Sequence, residues 1–295
     1  MRKTRMAATA AGIALIAGLT ACGGEKADGG NGSGGGGNEA KGGDSALQGA
    51  LAALKKASTA TDKQHSAKVE GVNKQTSQGR TMSTRMKGAF DWSGGGMKGE
   101  ADLTMGGGAQ SAKAIYLPDA MFVQPAAGAP GGKKWMKYDY DTLAEKGGAS
   151  GAMLKDQMQN NNPARSVQLV LASGKVKALG TETVRGKKTT HYSGTISVSE
   201  LTRMQSKDLS EKDLQALEQQ FKQQGLKKEK IDLWIDENDL LVKKHEVAKS
   251  TDGATGIDAT NYYTDYGTSV EVTAPPAGET TDAAGLMTQN GGRSS

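Results

Sequence analysis

The side chains able to do chemistry in this chain are few: one thiol, Cys22, and three imidazoles, His65, His191 and His245. The histidines are scattered, and none has a second histidine or a carboxylate at H-E-x-x-H spacing, so no zinc-hydrolase site is written here. His191 and His245 fall in expected strands, where a solvent-facing or hydrogen-bonded ring is the simpler account. Gly148-Ala149-Ser150-Gly151 lacks the spacing of a nucleophile elbow. A phosphate loop is excluded because Gly180 and Gly186-Lys187 stand one residue too far apart, and Lys188 occupies the place of the metal-binding hydroxyl. Asp232, Asp236, Asn238 and Asp239 gather acids near one turn, but the calcium-loop glycine and terminal glutamate are missing, and a hairpin turn explains them better. The expectation is a protein that is not an enzyme and has no cofactor and no metal.

The thiol differs from the other groups in its position. Residues 1–21 have a basic start (Arg2, Lys3, Arg5), an apolar stretch from Ala7 to Leu19, and small residues before Cys22, the three parts of an export signal. The stretch is too short and alanine-rich to span a bilayer, which takes about 20 strongly apolar residues. Leu19-Thr20-Ala21-Cys22 resembles a bacterial lipobox, which implies cleavage before Cys22 and acylation of it. Two or three chains, at about 0.8 kcal/mol per buried methylene, hold a protein on a membrane where one is marginal. The implied location is the extracytoplasmic face of the cell membrane, lipid-anchored.

Removal of residues 1–21 lowers Lys+Arg from 37 to 34 against 32 Asp+Glu, because three cations and no acid are lost, and formal charge falls from +5 to +2. Such a balance gives no nucleic-acid footprint. The run Lys227-Lys228-Glu229-Lys230 reads as a solvated strand entry. With no second cysteine there is no internal disulfide, so stability must come from an ordinary core.

Four segments are expected: a signal peptide over 1–21, the lipidated cysteine with a glycine-rich tether over 22–44, one domain over 45–276, and a frayed tail over 277–295. The tether's G-x-G-x-x-G match at Gly30, Gly32 and Gly35 has no strand before it and no helix after it, and is chance in a glycine tract. The domain opens with a helix from Ser45 to about Thr59, carrying Leu47, Leu51 and Leu54 on one face. The period then changes to two over 81–92, with Met82, Met86, Phe90 and Trp92 on one side, and alternation recurs near 101–105, 113–117, 121–124 and 135–140. Two helical stretches (151–160 and 164–172) interrupt this meander. Strands at 176–184 and 189–198 follow, then a helix entered through Ser210 and Asp213 and stopped by Gly225, then strands at 228–236, 241–249 and 256–266.

Ile-Asp-Leu-Trp-Ile-Asp-Glu-Asn-Asp-Leu-Leu-Val from Ile231, Tyr262 to Gly267, and Val270 to Pro276 resemble the ending of actinobacterial lipoproteins of the LppX/LprG type. Gly180 to Val184 and Thr190 to Ile196 resemble their central hairpin. The resemblance covers roughly residues 45–276 through loose structural strings. It implies an α+β fold, a curved antiparallel sheet forming an unclosed half-barrel around helices, similar to the LolA carrier, with a cavity for the acyl chains of a lipid or glycolipid.

The residues allow such a cavity. Met82, Met86, Leu103, Met105, Ile115, Leu117, Met121, Val123, Tyr192, Ile196, Leu233 and Ile235 are the candidates for the sheet's inner side, and methionine suits apolar ligands of variable shape. Trp234 should point the other way. The expected partners are a lipid or other apolar ligand, the membrane through its anchor, and a membrane transporter or envelope protein. The competing expectation is a closed-core envelope interaction or sensor-accessory module.

Overall fold

The computed structural model describes residues 40–159, 161–205 and 210–283. All of them lie in one compact unit, Gly36–Ser295, whereas the signal segment, Cys22 and most of the tether lie outside the described residues.

The first half is a helix and a meander. Helix α1 (Ala40–Asp62) begins earlier than its leucine spacing suggested and buries Ala50, Leu54 and Ala57. Strands β1 (Ser66–Ser77), β2 (Arg80–Asp91), β3 (Lys98–Met105), β4 (Gln110–Tyr116), β5 (Ala120–Pro125) and β6 (Trp135–Asp139) then pair in sequence order. Strand β1 was not expected. Its inner-side positions Ala67, Val69, Gly71, Asn73 and Gln75 carry only one large apolar side chain, so alternation gave no signal.

Helix α2 (Tyr140–Gln159) bends at Gly148 and is about twice the expected length. Helix α3 (Pro163–Ala172) starts as its residues require. Pro163 occupies the first turn, and the Asn162 side chain accepts a 2.8 Å hydrogen bond from the Ala164 N–H while donating to Asp62 at 2.7 Å. That second bond ties the end of α1 to the start of α3.

The second half runs β7 (Val176–Val184), β8 (Lys187–Ser197), α4 (Val198–Gln205), α5 (Glu211–Gln223), β9 (Lys228–Asp236), β10 (Leu241–Lys249) and β11 (Gly256–Thr264). Ser197 and Glu200 form a reciprocal capping box at α4: the Glu200 carboxylate accepts from the Ser197 N–H at 3.0 Å, and the Ser197 hydroxyl accepts from the Glu200 N–H at 3.2 Å. Helix α5 stops at Gly225 (φ 72°), where the Leu226 N–H reaches the Phe221 carbonyl and the Gly225 N–H that of Lys222. Phe221 and Leu226 pack together there, as a Schellman stop requires.

Strand β11 pairs antiparallel with β1, from Lys68–Thr264 to Thr76–Gly256, and so joins the two meanders. One twelve-stranded sheet results, in the order β12-β6-β5-β4-β3-β2-β1-β11-β10-β9-β8-β7. Strand β12 (Thr280–Asp282) lies parallel to β6 and corrects the expected tail: residues 277–283 belong to the domain, and Ala283 is buried with Ala112, Val123 and Tyr138. The edges β7 and β12 do not meet. The architecture is the expected α+β class, an unclosed, almost wholly antiparallel half-barrel with its helices on one face.

Helices α1 and α3 seat on that face, where Leu54, Ala57, Val167 and Val170 meet Tyr192, Ile196, Ile231 and Leu233. Contact is tight at Gly194 of β8, where a Cβ would lie 2.8 Å from Cγ1 of the fully buried Val170. Gly194→Ala is therefore expected to destabilise the domain by about 1–3 kcal/mol through overpacking. Urea unfolding checks this, and Val170→Ala in the same chain should recover part of the loss.

Candidate functional site

Directly opposed residues of an antiparallel pair share a face, so register follows the helix-covered side from strand to strand. One row runs Leu103, Met86, Gly71, Asn261, Lys244, Leu233 and Tyr192 across β3, β2, β1, β11, β10, β9 and β8. A neighbouring row runs Val123, Ala114, Ala101, Gly88 and Val69 from β5 to β1, small side chains in the middle of the sheet.

Of the candidate inner residues, Tyr192, Ile196, Leu233 and Ile235 are buried in the main core. Val123 is buried in the smaller cluster at the β12 end, and Met86, Leu103 and Met121 pack half-buried against the main core. Met105 shares their face and is half-buried. Met82 also shares it by alternation but is 55% exposed at the start of β2, beyond the helices' cover.

Ile115 and Leu117 are corrections. Ile115 opposes Phe122 on the far face, and Leu117 lies past the end of β4 on the same alternation, in none of the apolar clusters among the described residues. The inward residues of β4 are Ala112, Ala114 and Tyr116, because a two-residue period puts only one of two adjacent sets inside, and small side chains fit beneath the helices. Trp234 points away, as expected. It packs with Val184, Val242 and Tyr262 on the far face, stacked 4.3 Å from the His191 ring.

Around the fully buried core lies a margin of half-buried apolar side chains from several elements: Leu47 and Leu51 of α1, Met86, Leu103 and Met121 of the sheet, and Met158 and Met204 of α2 and α4. Together these make an adaptable apolar lining between sheet and helices.

The lining also has a charged part that pattern reading missed. Lys244, Glu246 and Glu229 share the helix-covered face, with the Lys244 ammonium 2.9 Å from the Glu246 carboxylate. Burial opposes the Lys244 charge, but Glu246 outweighs it and raises the ammonium above its ordinary range. Burial, with Glu246 nearby, pushes the Glu229 carboxyl up to about 8. Glu229 is thus not part of a solvated strand entry. Charges at 227–230 and 243–246 look like surface in sequence, and only the register with β11 and β8 turns these three inward.

Asp236, Asp232 and His245 serve the fold. Asp236 accepts from the N–H groups of Asn238 and Leu240, each at 3.0 Å, and pairs with Lys187, which makes it the organiser of the β9–β10 turn. Burial opposes the charge on Asp232, but hydrogen bonds from Lys230, Ser193 and His191 hold its carboxyl below the usual range. His245 bonds Asp258 at 3.1 Å.

Fold and lining define a class: a domain whose single unclosed, almost wholly antiparallel sheet packs an apolar face against helices. No known family profile matches the chain. A 31.2 kDa protein encoded between rplA and rplJ in Streptomyces griseus is 40% identical over 255 residues, 82% of this chain and 81% of that protein. SCO4650 of Streptomyces coelicolor, provisionally named a lipoprotein, is 34% identical over 252 residues, 81% of this chain and 77% of its own. The chain belongs to the family of these two proteins. Among solved structures, Mycobacterium tuberculosis lipoprotein LppX aligns over 77% of this chain and 99% of its own, at 14% identity and a TM-score of 0.47. Mycobacterium bovis LprF aligns over 78% and 98%, at 16% and 0.45. No helix among the described residues is long and apolar enough to cross a membrane.

Glu229 has a consequence in solution. Its folded-state value lies above the ordinary 4.5, so the folded chain keeps a proton the unfolded chain releases, and stability declines as pH rises from about 4.5 to about 8. Glu229→Gln should flatten that decline, seen as a smaller drop in thermal midpoint between about pH 5 and about pH 9. An unchanged drop would assign the effect elsewhere.

Proposed function

We propose that this protein is an exported lipoprotein, anchored by acylated Cys22 on the extracytoplasmic face of the cell membrane. Its domain takes up the acyl chains of a lipid or glycolipid between sheet and helices and carries them within the cell envelope. No bond is made or broken. The single observation that carries this reading is the half-buried apolar margin continuous with the main core, built from methionines and leucines of α1, α2, α4 and the sheet. Each methylene withdrawn from water contributes about 0.8 kcal/mol, so a two-chain lipid gains ample gross affinity, and release then needs helix movement or a partner such as a membrane transporter.

The closed-core module is supported by a different observation. Leu54, Ala57, Val167 and Val170 are fully buried against the β7–β10 side of the same face. The two readings part over whether the β2–β5 side, with Met86, Leu103 and Met121, opens to a ligand.

Organic extraction and mass spectrometry of the chain lacking Met1–Cys22 separate them. A carrier co-purifies with lipid or binds a fluorescent fatty acid, and Leu103→Asp reduces that binding at least about tenfold by placing a charge in the lining. No lipid and no fatty-acid binding would leave the module. For the anchor, Cys22→Ser should abolish incorporation of labelled palmitate and release the protein from the membrane fraction.

A further inference from the structure

The face opposite the helices carries a second, chemically different feature, which does not rest on the carrier reading. A groove of about 320 Å³ lies over β1 and β2 and is lined by Glu70, Val72, Arg85, Lys87, Arg185 and Tyr262. Five of these come from neighbouring strands: Glu70 opposes both Lys87 and Tyr262, and Val72 opposes Arg85. Arg185 comes from the distant β7–β8 turn, where it holds a left-handed conformation (φ 49°).

Two contacts bring Arg185 there. Its guanidinium stacks 3.9 Å from the centre of the Tyr262 ring, and it pairs with Glu70 at 2.8 Å. Val184, the residue before it, packs with Trp234, Val242 and Tyr262 and seats the turn on the sheet. Glu70 also pairs with Lys87 at 2.9 Å, and hydrogen bonds from Lys87 and Arg185 hold its carboxyl below the ordinary range. One carboxylate therefore positions two cations whose other N–H groups remain available. Arg85 adds a third cation, exposed and with no ion-pair partner among the described residues. Lys243, 5.9 Å from the Tyr262 ring, adds a fourth nearby. Against these stand Glu70 and Asp102, the cross-strand neighbour of Lys87. The local balance is positive, although the processed chain is almost neutral.

We infer that this groove is a binding site for a phosphorylated group, held by the guanidinium groups of Arg85 and Arg185 with the Lys87 ammonium. Guanidinium is suited to bidentate bonds with phosphate oxygens, and stacking on Tyr262 with pairing to Glu70 fixes the Arg185 plane before the ligand arrives. The aromatic ring beneath the cations gives the nonpolar part of a small phosphate ester a surface to lie on. A phosphate ester reaches such a site either as a soluble compound or as an anionic lipid headgroup.

The full chain carrying Cys22→Ser, which removes the anchor, is titrated with inorganic phosphate and glycerol phosphate, and with vesicles of phosphatidylcholine alone or mixed with phosphatidylglycerol. All titrations use about 0.15 M salt, so that diffuse attraction is screened. Saturable binding of either soluble phosphate assigns a soluble ligand, and binding only to phosphatidylglycerol vesicles assigns a headgroup. In either case Arg85→Gln and Arg185→Gln each weaken binding about tenfold, the worth of one charged hydrogen bond. Arg85→Gln leaves the thermal midpoint unchanged, because Arg85 is exposed and has no ion-pair partner among the described residues. No saturable binding of any probe, or binding that both arginine substitutions leave intact, would overturn the inference.

Discussion

The pairing of β1 with β11 is the constraint on which the rest depends. It joins residues almost two hundred positions apart, Lys68 to Thr264, and makes one sheet of two meanders. Without it, the face bearing Met86 and Leu103 would not be continuous with the face bearing Leu233 and Tyr192, and neither the apolar lining nor the outer groove would exist as a unit. Its side chains are not what recommend it: the inner residues of β1 are mostly small or polar, and a Cβ at Gly71 would lie 2.2 Å from the Asn261 side-chain oxygen, which would have to turn aside. The seam is held by backbone ladder bonds and by what packs at its ends. Closing so long a loop before those bonds form is entropically costly.

The helices complete what the seam begins. Thr61, buried at the end of α1, accepts a hydrogen bond from the Leu241 N–H at 3.2 Å, and the Tyr266 hydroxyl donates to the Leu241 carbonyl at 2.7 Å. Leu241 lies at the irregularity where β10 slips against β9, so backbone groups freed by the bulge are met by side chains from both ends of the chain. The sheet's two faces then acquire different chemistry. Beneath the helices it is apolar with a small buried charge cluster, and on the other side the groove over β1 and β2 gathers cations around the Tyr262 ring. The alternation of a single strand, β1, contributes Gly71 to one side and Glu70 to the other.

Legibility followed the range of the interaction. Helices α1, α3 and α5 announced themselves through leucine spacing, Pro163 and Gly225, since a cap or a 3.6-residue stripe is a local property. The strands rich in large apolar residues were legible too, β9 most clearly through Ile231, Leu233 and Ile235. Strand β1 was not, nor was β12 with its three polar residues, because each owes its existence to a partner strand rather than to a period of its own. On β4 the bulk of Ile115 misled, since the buried positions there went to Ala112, Ala114 and Tyr116. The charged residues of both sites were invisible for the same reason: Glu229, Lys244 and Arg185 each stand in a charge-rich string, and charge in a string says nothing about which way it faces.

What the sequence by itself determined is therefore what neighbours along the chain can specify: the string ending in Cys22, the glycine tract after it, the helix starts and stops, the strands with strong alternation, and the absence of a catalytic signature. The tertiary structure alone decided which of two alternating sets faces the helices, that Lys244, Glu246 and Glu229 share an interior, and that Arg185 crosses from one edge hairpin to a groove above β1. The physical reason is that a strand's pattern states a period but not a side. The side is chosen by register with strands that lie far away in sequence, and the chemistry of both faces of this sheet was set by that choice.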